Sequence, residues 1–316
     1  MNQPGSVFQT SVIILTYNRS AHLKHLLTTL QDLKYPSLEI IIVDNCSDDD
    51  TQQMVKSQFP LPKYIRTNKN LGASARNLGM KVAKGQVLVT LDDDIVGIND
   101  DHIVELVQVF NERPRIGAIN FKVLDSNTLK ICNWVHHCDE YQYGEKEFET
   151  YEITEGAVAF RKQALQKAGY YPHHFFLSYE GPDLALRIID SGYDIIYLNT
   201  ISVIHFHSDA GRDPWLNYYY DTRNQLWLAA RNFPVSYSLV FLGRGILSML
   251  VYSIRDGYFG YWIKAIVDGL KGISAAVADR KVISKDSLRI IRTIDRNRLP
   301  FFSLLKKRLF KRGVRL

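Results

Sequence analysis

The sequence predicts an α/β fold with a mostly parallel central sheet flanked by helices, and three observations carry that prediction. Short apolar, β-branched runs recur at residues 11–15, 38–43 and 85–91, the composition of strands buried on both faces in a parallel sheet. Stretches with apolar residues at helical spacing separate them. Each run ends in polar or acidic residues, and open α/β sheets bind ligands outside the carboxyl ends of their strands. At 316 residues and 46% hydrophobic, the chain has enough apolar surface for such a core with additions.

The first unit is Ser11-Val12-Ile13-Ile14-Leu15, which stops at Thr16-Tyr17-Asn18-Arg19. Ser20 caps a helix over about residues 21–31, with Leu23, Leu26, Leu27 and Leu30 on one face. The second unit runs from the strand at 38–43 through Asp44-Asn45-Cys46-Ser47 into a helix that Asp48, Asp49 and Asp50 begin. Those three acids complement the helix dipole and need no function. Asp44 sits at the strand end instead, where its carboxylate can accept a hydrogen bond from a ligand such as a base imide N–H. A short strand at 64–66 leads to the turn Asn68-Lys69-Asn70-Leu71-Gly72 and a helix over 73–83. The small residues at its start let a ligand approach the backbone, and Gly72 with Arg76 suits a phosphate.

The fourth strand ends in Asp92-Asp93-Asp94. Three adjacent like charges need solvent, a cation or ligand donors to compensate them. The triplet is therefore read as a site for a divalent cation and the phosphates it carries, against the plainer alternative of an acidic turn capping the next helix.

Beyond it, a helix is expected at 101–111 and a strand at 116–123. Residues 130–151 mix aromatic, histidine and charged side chains. Cys132, His136, His137 and Cys138 match no zinc-ligand spacing, so an acceptor-facing loop is expected there. A strand at 153–162 and a helix at 163–168 precede Tyr179-Glu180-Gly181-Pro182-Asp183, which opens a further helix. Residues 194–198 and 201–207 read as an extended pair, and 215–234 as an aromatic-rich helix. Residues 236–254 are at the short end for a membrane span and contain Arg244, so a buried or interfacial helix is expected.

The net charge of +6 is uneven, with basic residues crowding 280–315. Phenylalanines and leucines interleave with cations at 301–312, which fits a helix on an anionic membrane surface rather than a nucleic-acid site. Three cysteines fit a reduced compartment, and residues 1–10 lack the pattern of a signal peptide. The expectation is a cytoplasmic protein, peripheral on the inner face of the cell membrane.

Four motifs, in order, resemble inverting family-2 glycosyltransferases of the GT-A fold: Ser-Val-Ile-Ile-Leu-Thr-Tyr-Asn-Arg, Ile-Ile-Val-Asp-Asn-Cys-Ser-Asp-Asp-Asp-Thr, Asn-Lys-Asn-Leu-Gly-Ala-Ser-Ala-Arg-Asn and Leu-Asp-Asp-Asp-Ile. The resemblance runs over about residues 12–234, and the tyrosine and Arg-Asn helix at 215–234 is similar to that of rhamnosyltransferase-like members. It implies a GT-A, Rossmann-like catalytic domain at 1–234, with a nucleotide half at about 1–122, an acceptor half at about 123–234, and a helical, basic C-terminal extension at 235–316. The activity implied is transfer of a sugar from a UDP- or dTDP-sugar to a glycan or lipid-linked saccharide acceptor, with Mn²⁺ or Mg²⁺.

By the same resemblance, Thr16 and Tyr17, with Asn18 and Arg19, line the nucleoside and Asp44 bonds the base. Asn70, Gly72 and Arg76 lie near base or phosphates. Asp92 faces the ribose side, Asp94 binds metal and Asp93 shares either task, while His205 completes a metal site with Asp94 and Asp92. Arg212 reaches the diphosphate as its loop closes, Glu155 and Gly156 lie beneath the acceptor, and Arg223 and Asn224 are candidates for acceptor or diphosphate contacts.

Residues 180–187 resemble the family's Glu-Asp-x-Asp-Leu-x-x-Arg motif, but Gly181 stands where many relatives have the basic carboxylate. Glu180 and Asp183 are left as catalytic candidates. Glu180 is expected to point into the cleft, and Asp183 to pair with Arg187 at i,i+4. Two other readings stay open: a nucleotide-sugar or glycan-binding protein that has lost catalysis, and a sugar nucleotidyltransferase. The second calls for a glycine-rich, lysine-containing loop after the first strand, which residues 16–20 do not provide.

Overall fold

The structure, a computed structural model, describes residues 9–206, 213–298 and 300. Its parallel half is built from β1 (Thr10–Thr16), β2 (Leu38–Asp44), β3 (Lys63–Arg66) and β4 (Val87–Asp92) in the order β3-β2-β1-β4. Successive side chains of a strand point to opposite faces. Val12, Ile14 and Ile42 thus pack with Leu23, Leu26 and Met54 of α1 (Ser20–Leu30) and α2 (Thr51–Gln58). Ile13, Ile41 and Val43 pack the other way, with Ala75 and Met80 beside α3 (Arg76–Val82). Burial on both faces is why these strands read as unbroken apolar runs.

The sheet continues as β4-β8-β6-β9-β5, with β5 (Ile95–Val96), β6 (Ile116–Asp125), β7 (Phe148–Glu149), β8 (Ala157–Arg161) and β9 (Asp194–His205). β8 runs antiparallel between β4 and β6, β6 and β9 are parallel, and β7 joins β9 from outside. Helices α4 (Asp100–Glu112), α5 (Glu140–Tyr143), α6 (Lys162–Ala168) and α7 (Glu180–Asp190) surround this half.

Four local expectations change. Ser20 is the first residue of α1 rather than its cap, and Arg19 stands at the N-cap position with no side-chain capping bond. Residues 194–198 and 201–207 are not a pair: β9 is one strand, and residues 199–201 are taken up as an irregularity against β6, where Phe121 pairs with Leu198 and Lys122 with Ser202. The helix expected at 73–83 starts as a 3-10 turn, Gly72–Ala75, before α3. Asp48 to Asp50 precede α2 rather than open it, and the Asp49 carboxylate accepts the amides of Ser20 at 3.0 Å and Thr51 at 3.1 Å.

Residues 130–151 hold an aromatic cluster rather than an open loop. The ring of Trp134 meets those of His136 at 4.8 Å and Tyr197 at 5.3 Å, and His137 stacks on Tyr151 at 5.4 Å. Burial drives His136 down to about 3 and His137 to about 4, so both imidazoles are neutral packing groups at pH 7.

The C-terminal helices are α8 (Trp215–Asn232), α9 (Val235–Arg255), α10 (Phe259–Lys271), α11 (Ile273–Val277) and α12 (Lys285–Ile294). α8 lies against α7 and carries α9, α10 and α11. α9 is not a buried helix: Val235, Leu239, Val240, Leu247 and Ile254 are exposed, and only 17% of its most apolar window is covered. Residues 301–312 lie outside the described residues.

Candidate active site

The strand order reverses at β1, whose neighbours are β2 on one side and β4 on the other. Connections leave in opposite directions there and open a crevice at the strand ends. Thr16 to Arg19 and Asp92 to Asp94 meet in it. Thr16 donates its hydroxyl to Asp93 at 2.7 Å. Arg19 lies 2.5 Å from Asp94 and 3.4 Å from Asp93, and Arg76 pairs with Asp92. Two guanidiniums therefore balance two of the three carboxylates.

The three acids differ because their surroundings differ. Burial pushes Asp93 up to about 7, against the pull of Arg19 and the Thr16 hydrogen bond. Burial acts on Asp94 in the same sense, but the His205 hydrogen bond and the charges of His205 and Arg19 outweigh it and hold its carboxylate below the ordinary value. His205 reaches Asp94 because β5 pairs antiparallel with β9 and sets Ile95 opposite His205. A cleft of about 140 Å³ beside Asp93 and Asp94 is lined also by His22, His25 and Phe206. The two histidines of α1 carried no motif and were not singled out by sequence.

These residues fit a divalent cation. Asp94 Oδ2 and His205 Nε2 are 3.4 Å apart, close to the spacing of adjacent ligands on one ion with bonds of about 2.1–2.2 Å. The Asn133 side-chain amide lies 2.9 Å from His205 Nδ1 and orients the ring. Among the described residues no group of three or more His, Cys, Asp or Glu is placed to hold a metal ion by itself. The remaining positions of a bound cation would fall to ligand oxygens and water, the usual condition of Mg²⁺ beside phosphates.

Several predicted residues have protein partners. Asp44 is fully buried, accepts the Ser47 amide at 2.8 Å and receives the Tyr64 hydroxyl. Tyr17, just past the end of β1, is 42% exposed. Asn18 accepts the Asp48 amide at 2.7 Å, and Asn70 accepts the Gly72 amide at 2.9 Å. Arg76 is buried against Asp92 and aims at that carboxylate.

The two glycines also serve the protein's own atoms. A Cβ on Gly72, at φ +63, would stand 1.9 Å from the Phe176 carbonyl oxygen, and one on Gly156, at φ +75, 2.3 Å from the Asp92 carboxyl carbon. Arg212 lies outside the described residues.

The catalytic candidates on α7 part company. Asp183 is fully buried, its pairing with Arg187 is present at 2.8 Å, and it also accepts Arg231 at 3.0 Å and Asn232 at 2.6 Å. Burial opposes its ionisation, but the two guanidiniums and Asn232 hold it below the ordinary carboxylate value. Glu180 does not point into the cleft as expected. It is 1% exposed, its carboxyl sealed in beside that of Glu155. Burial first and the neighbouring Glu155 second raise it well above the ordinary value.

Arg223 and Asn224 hold backbone. Arg223 donates to the Phe175 carbonyl at 2.7 Å, and Asn224 to those of Leu177 at 2.6 Å and Ser178 at 2.7 Å. They brace the turn before α7, where Phe176, Ser178 and Tyr179 all have positive φ near 65°. The clamp was invisible in sequence because its halves are far apart.

Comparisons with known proteins agree with this geometry. Over 226 residues the chain is 24% identical to the O-antigen chain rhamnosyltransferase WbaN of Salmonella anatum, covering 66% of this chain and 70% of that one. Over 110 residues it is 34% identical to an uncharacterized glycosyltransferase of Haemophilus influenzae, a match covering 34% of this chain and 37% of that protein's length. Among solved structures, Staphylococcus aureus TarS in complex with UDP-GlcNAc superposes with a TM-score of 0.59 at 19% identity, over 95% of this chain and 91% of that one. The mannosyltransferase PcManGT from Pyrobaculum calidifontis, in complex with GDP-Man and Mn²⁺, gives 0.56 at 18% identity over 97% and 88%. These likenesses establish the GT-A fold. Residues 11–169 match the model described as Glycosyl transferase family 2, and by that match over half its length the chain belongs to this family.

Proposed function

We propose that the chain is a metal-assisted inverting glycosyltransferase that moves a sugar from a UDP- or dTDP-sugar to a glycan or lipid-linked saccharide acceptor, in cell-surface polysaccharide synthesis. The observation that carries this reading is the meeting of Thr16, Arg19, Asp92 to Asp94 and His205 at one switch point. The fold neighbours, solved in complex with UDP-GlcNAc and with GDP-Man and Mn²⁺, support it, as do the rhamnosyltransferase relatives.

Tyr17 offers a face for the base, Asp44 an acceptor beneath it, and Asp92 lies on the ribose side. Mn²⁺ or Mg²⁺, held by Asp94 and His205 with Asp92 nearby, would neutralise charge developing on the departing diphosphate. Arg19, already on Asp93 and Asp94, keeps a cation at the phosphates' end of the crevice. A carboxylate beside the N-terminal turn of α7 takes the acceptor's proton as it attacks from the face opposite the diphosphate.

The test is thermal stabilisation by UDP-, dTDP- and GDP-sugars with and without Mn²⁺, followed by release of nucleoside diphosphate. A true donor at a hundred times its Kd stabilises by about 2.7 kcal/mol. Absence of stabilisation by every donor refutes the reading. Stabilisation without any release favours the binding-protein alternative.

The exposed apolar side chains of α9 and α10, including Leu239, Leu247, Ile263 and Leu270, support attachment to the inner face of the cell membrane. The full chain is expected to sediment with phosphatidylglycerol vesicles and to lose most of that binding in the variant Leu239→Asp/Leu247→Asp. Unchanged binding by the variant, or none by either protein, counts against the membrane.

A further inference from the structure

Inverting transfer needs one ionised carboxylate that can reach the acceptor hydroxyl. Most acids at this edge of the sheet are engaged. Asp92 pairs with Arg76, Asp93 and Asp94 with Arg19, and Asp183 with Arg187, Arg231 and Asn232. Glu180 is sealed beneath the surface. Resting on the glycosyltransferase reading above, we propose that Glu155 is the general base and occupies the space that a side chain at position 181 would otherwise fill.

The geometry is mutual exclusion. A Cβ built on Gly181 would lie 2.6 Å from Glu155 Oε1 and 3.2 Å from its Cγ. The same Oε1 accepts the Gly181 amide at 2.7 Å, which anchors the carboxylate at the N-terminal turn of α7. The sheet brings this group to the donor. β8 runs antiparallel to β4 with Ala157 opposite Leu91, and Asp92 donates its amide to Gly156 at 3.1 Å. Glu155 thus stands one residue from the carbonyl that holds Asp92. It is partly exposed, whereas Glu180 is covered, and burial with the neighbouring Glu155 charge raises the Glu180 carboxyl well above its ordinary value.

In the reaction, Glu155 accepts the hydroxyl proton as the acceptor oxygen bonds to the anomeric carbon. The bond from that carbon to the diphosphate oxygen breaks, and its electron pair leaves with the nucleoside diphosphate. Protonated Glu155 then returns its proton to solvent.

Glu155→Gln keeps the oxygen that receives the Gly181 amide and removes the base. With Mn²⁺ and UDP-N-acetylglucosamine, GDP-mannose or dTDP-rhamnose, whichever the wild type turns over, kcat for diphosphate release is expected to fall about a hundredfold. Donor KM is expected to change by less than about threefold. Glu180→Gln, isosteric with the neutral acid, is expected to retain more turnover than Glu155→Gln. Glu155→Ala is expected to be as slow as Glu155→Gln, and Glu155→Ala/Gly181→Asp to recover at least about tenfold by placing a carboxylate in the vacated volume.

Turnover by Glu155→Gln within about threefold of wild type, a larger loss in Glu180→Gln, or no recovery in the double variant overturns the assignment while the glycosyltransferase reading stands. A wild type that binds and turns over no sugar nucleotide overturns both.

Discussion

Asp94→Ala is expected to lower Mn²⁺-dependent release of nucleoside diphosphate by about a thousandfold, the upper end of losses seen when one preorganised electrostatic partner is removed. Asp94 is the carboxylate of the triplet that both His205 and Arg19 reach, at 3.4 and 2.5 Å. Its loss removes the carboxylate that lies beside His205 in the proposed cation site. The two ends of the crevice separate in the readout. Stabilisation by Mn²⁺ with donor should vanish, whereas UDP alone should still stabilise, because Thr16, Tyr17 and Asp44 are untouched. Retention of full metal-dependent activity removes the metal assignment from Asp94.

The largest expected effect on stability belongs to Asp183→Asn. The native carboxylate is buried between Arg187 and Arg231 and takes a third bond from Asn232. Neutralising it leaves the buried Arg231 and the half-buried Arg187 without their anion, and breaking a buried pair in this way costs about 3–5 kcal/mol. The damage should reach the site, since Arg231 and Asn232 belong to α8, whose Arg223 and Asn224 hold the turn before α7. Denaturant midpoints measure it, and a loss under about 1 kcal/mol would show that the network is not the link between α7 and α8.

A pH signature accompanies this. Asp183 is held below its ordinary value, so its contribution is complete above about pH 4 and lost as pH falls through the lower folded value. The variant's stability should therefore vary less with pH below about 4.

The nucleotide half was legible in the sequence because its elements are locally encoded. Val12 to Ile14, Ile40 to Val43 and Val87 to Val89 must be apolar on both faces wherever helices cover both sides of a sheet. The acids after β4 were legible too, since a strand end is a position in the sequence as well as in space. Asp183 and Arg187 were readable because four residues is one helical turn. In the same way Leu23, Leu26, Leu27 and Leu30 announce the buried face of α1.

Other features were decided only by packing. Periodicity can say that α9 is apolar, but it does not say whether a neighbour covers it, and its outer face has none among the described residues. Gly72 and Gly156 read as room for a ligand. Tertiary contact shows the room taken by the Phe176 backbone and the Asp92 carboxylate. Glu180 looked free at a helix start, and only the folding of β8 and the preceding turn around it buries its carboxyl and brings Glu155 alongside.

The sequence by itself determined the strands, the helices of the first half and the acidic end of β4, because each depends on residues a few positions apart and on whether they meet water. Only the tertiary structure decided which side chains share the site. Arg19 and Asp94 are 75 residues apart, Glu155 and Gly181 are 26, and Arg231 and Asp183 are 48. Charge and hydrogen bonding act over a few ångströms, and the distance between two such groups is set by how strands and helices pack, a quantity that spacing along the chain does not contain.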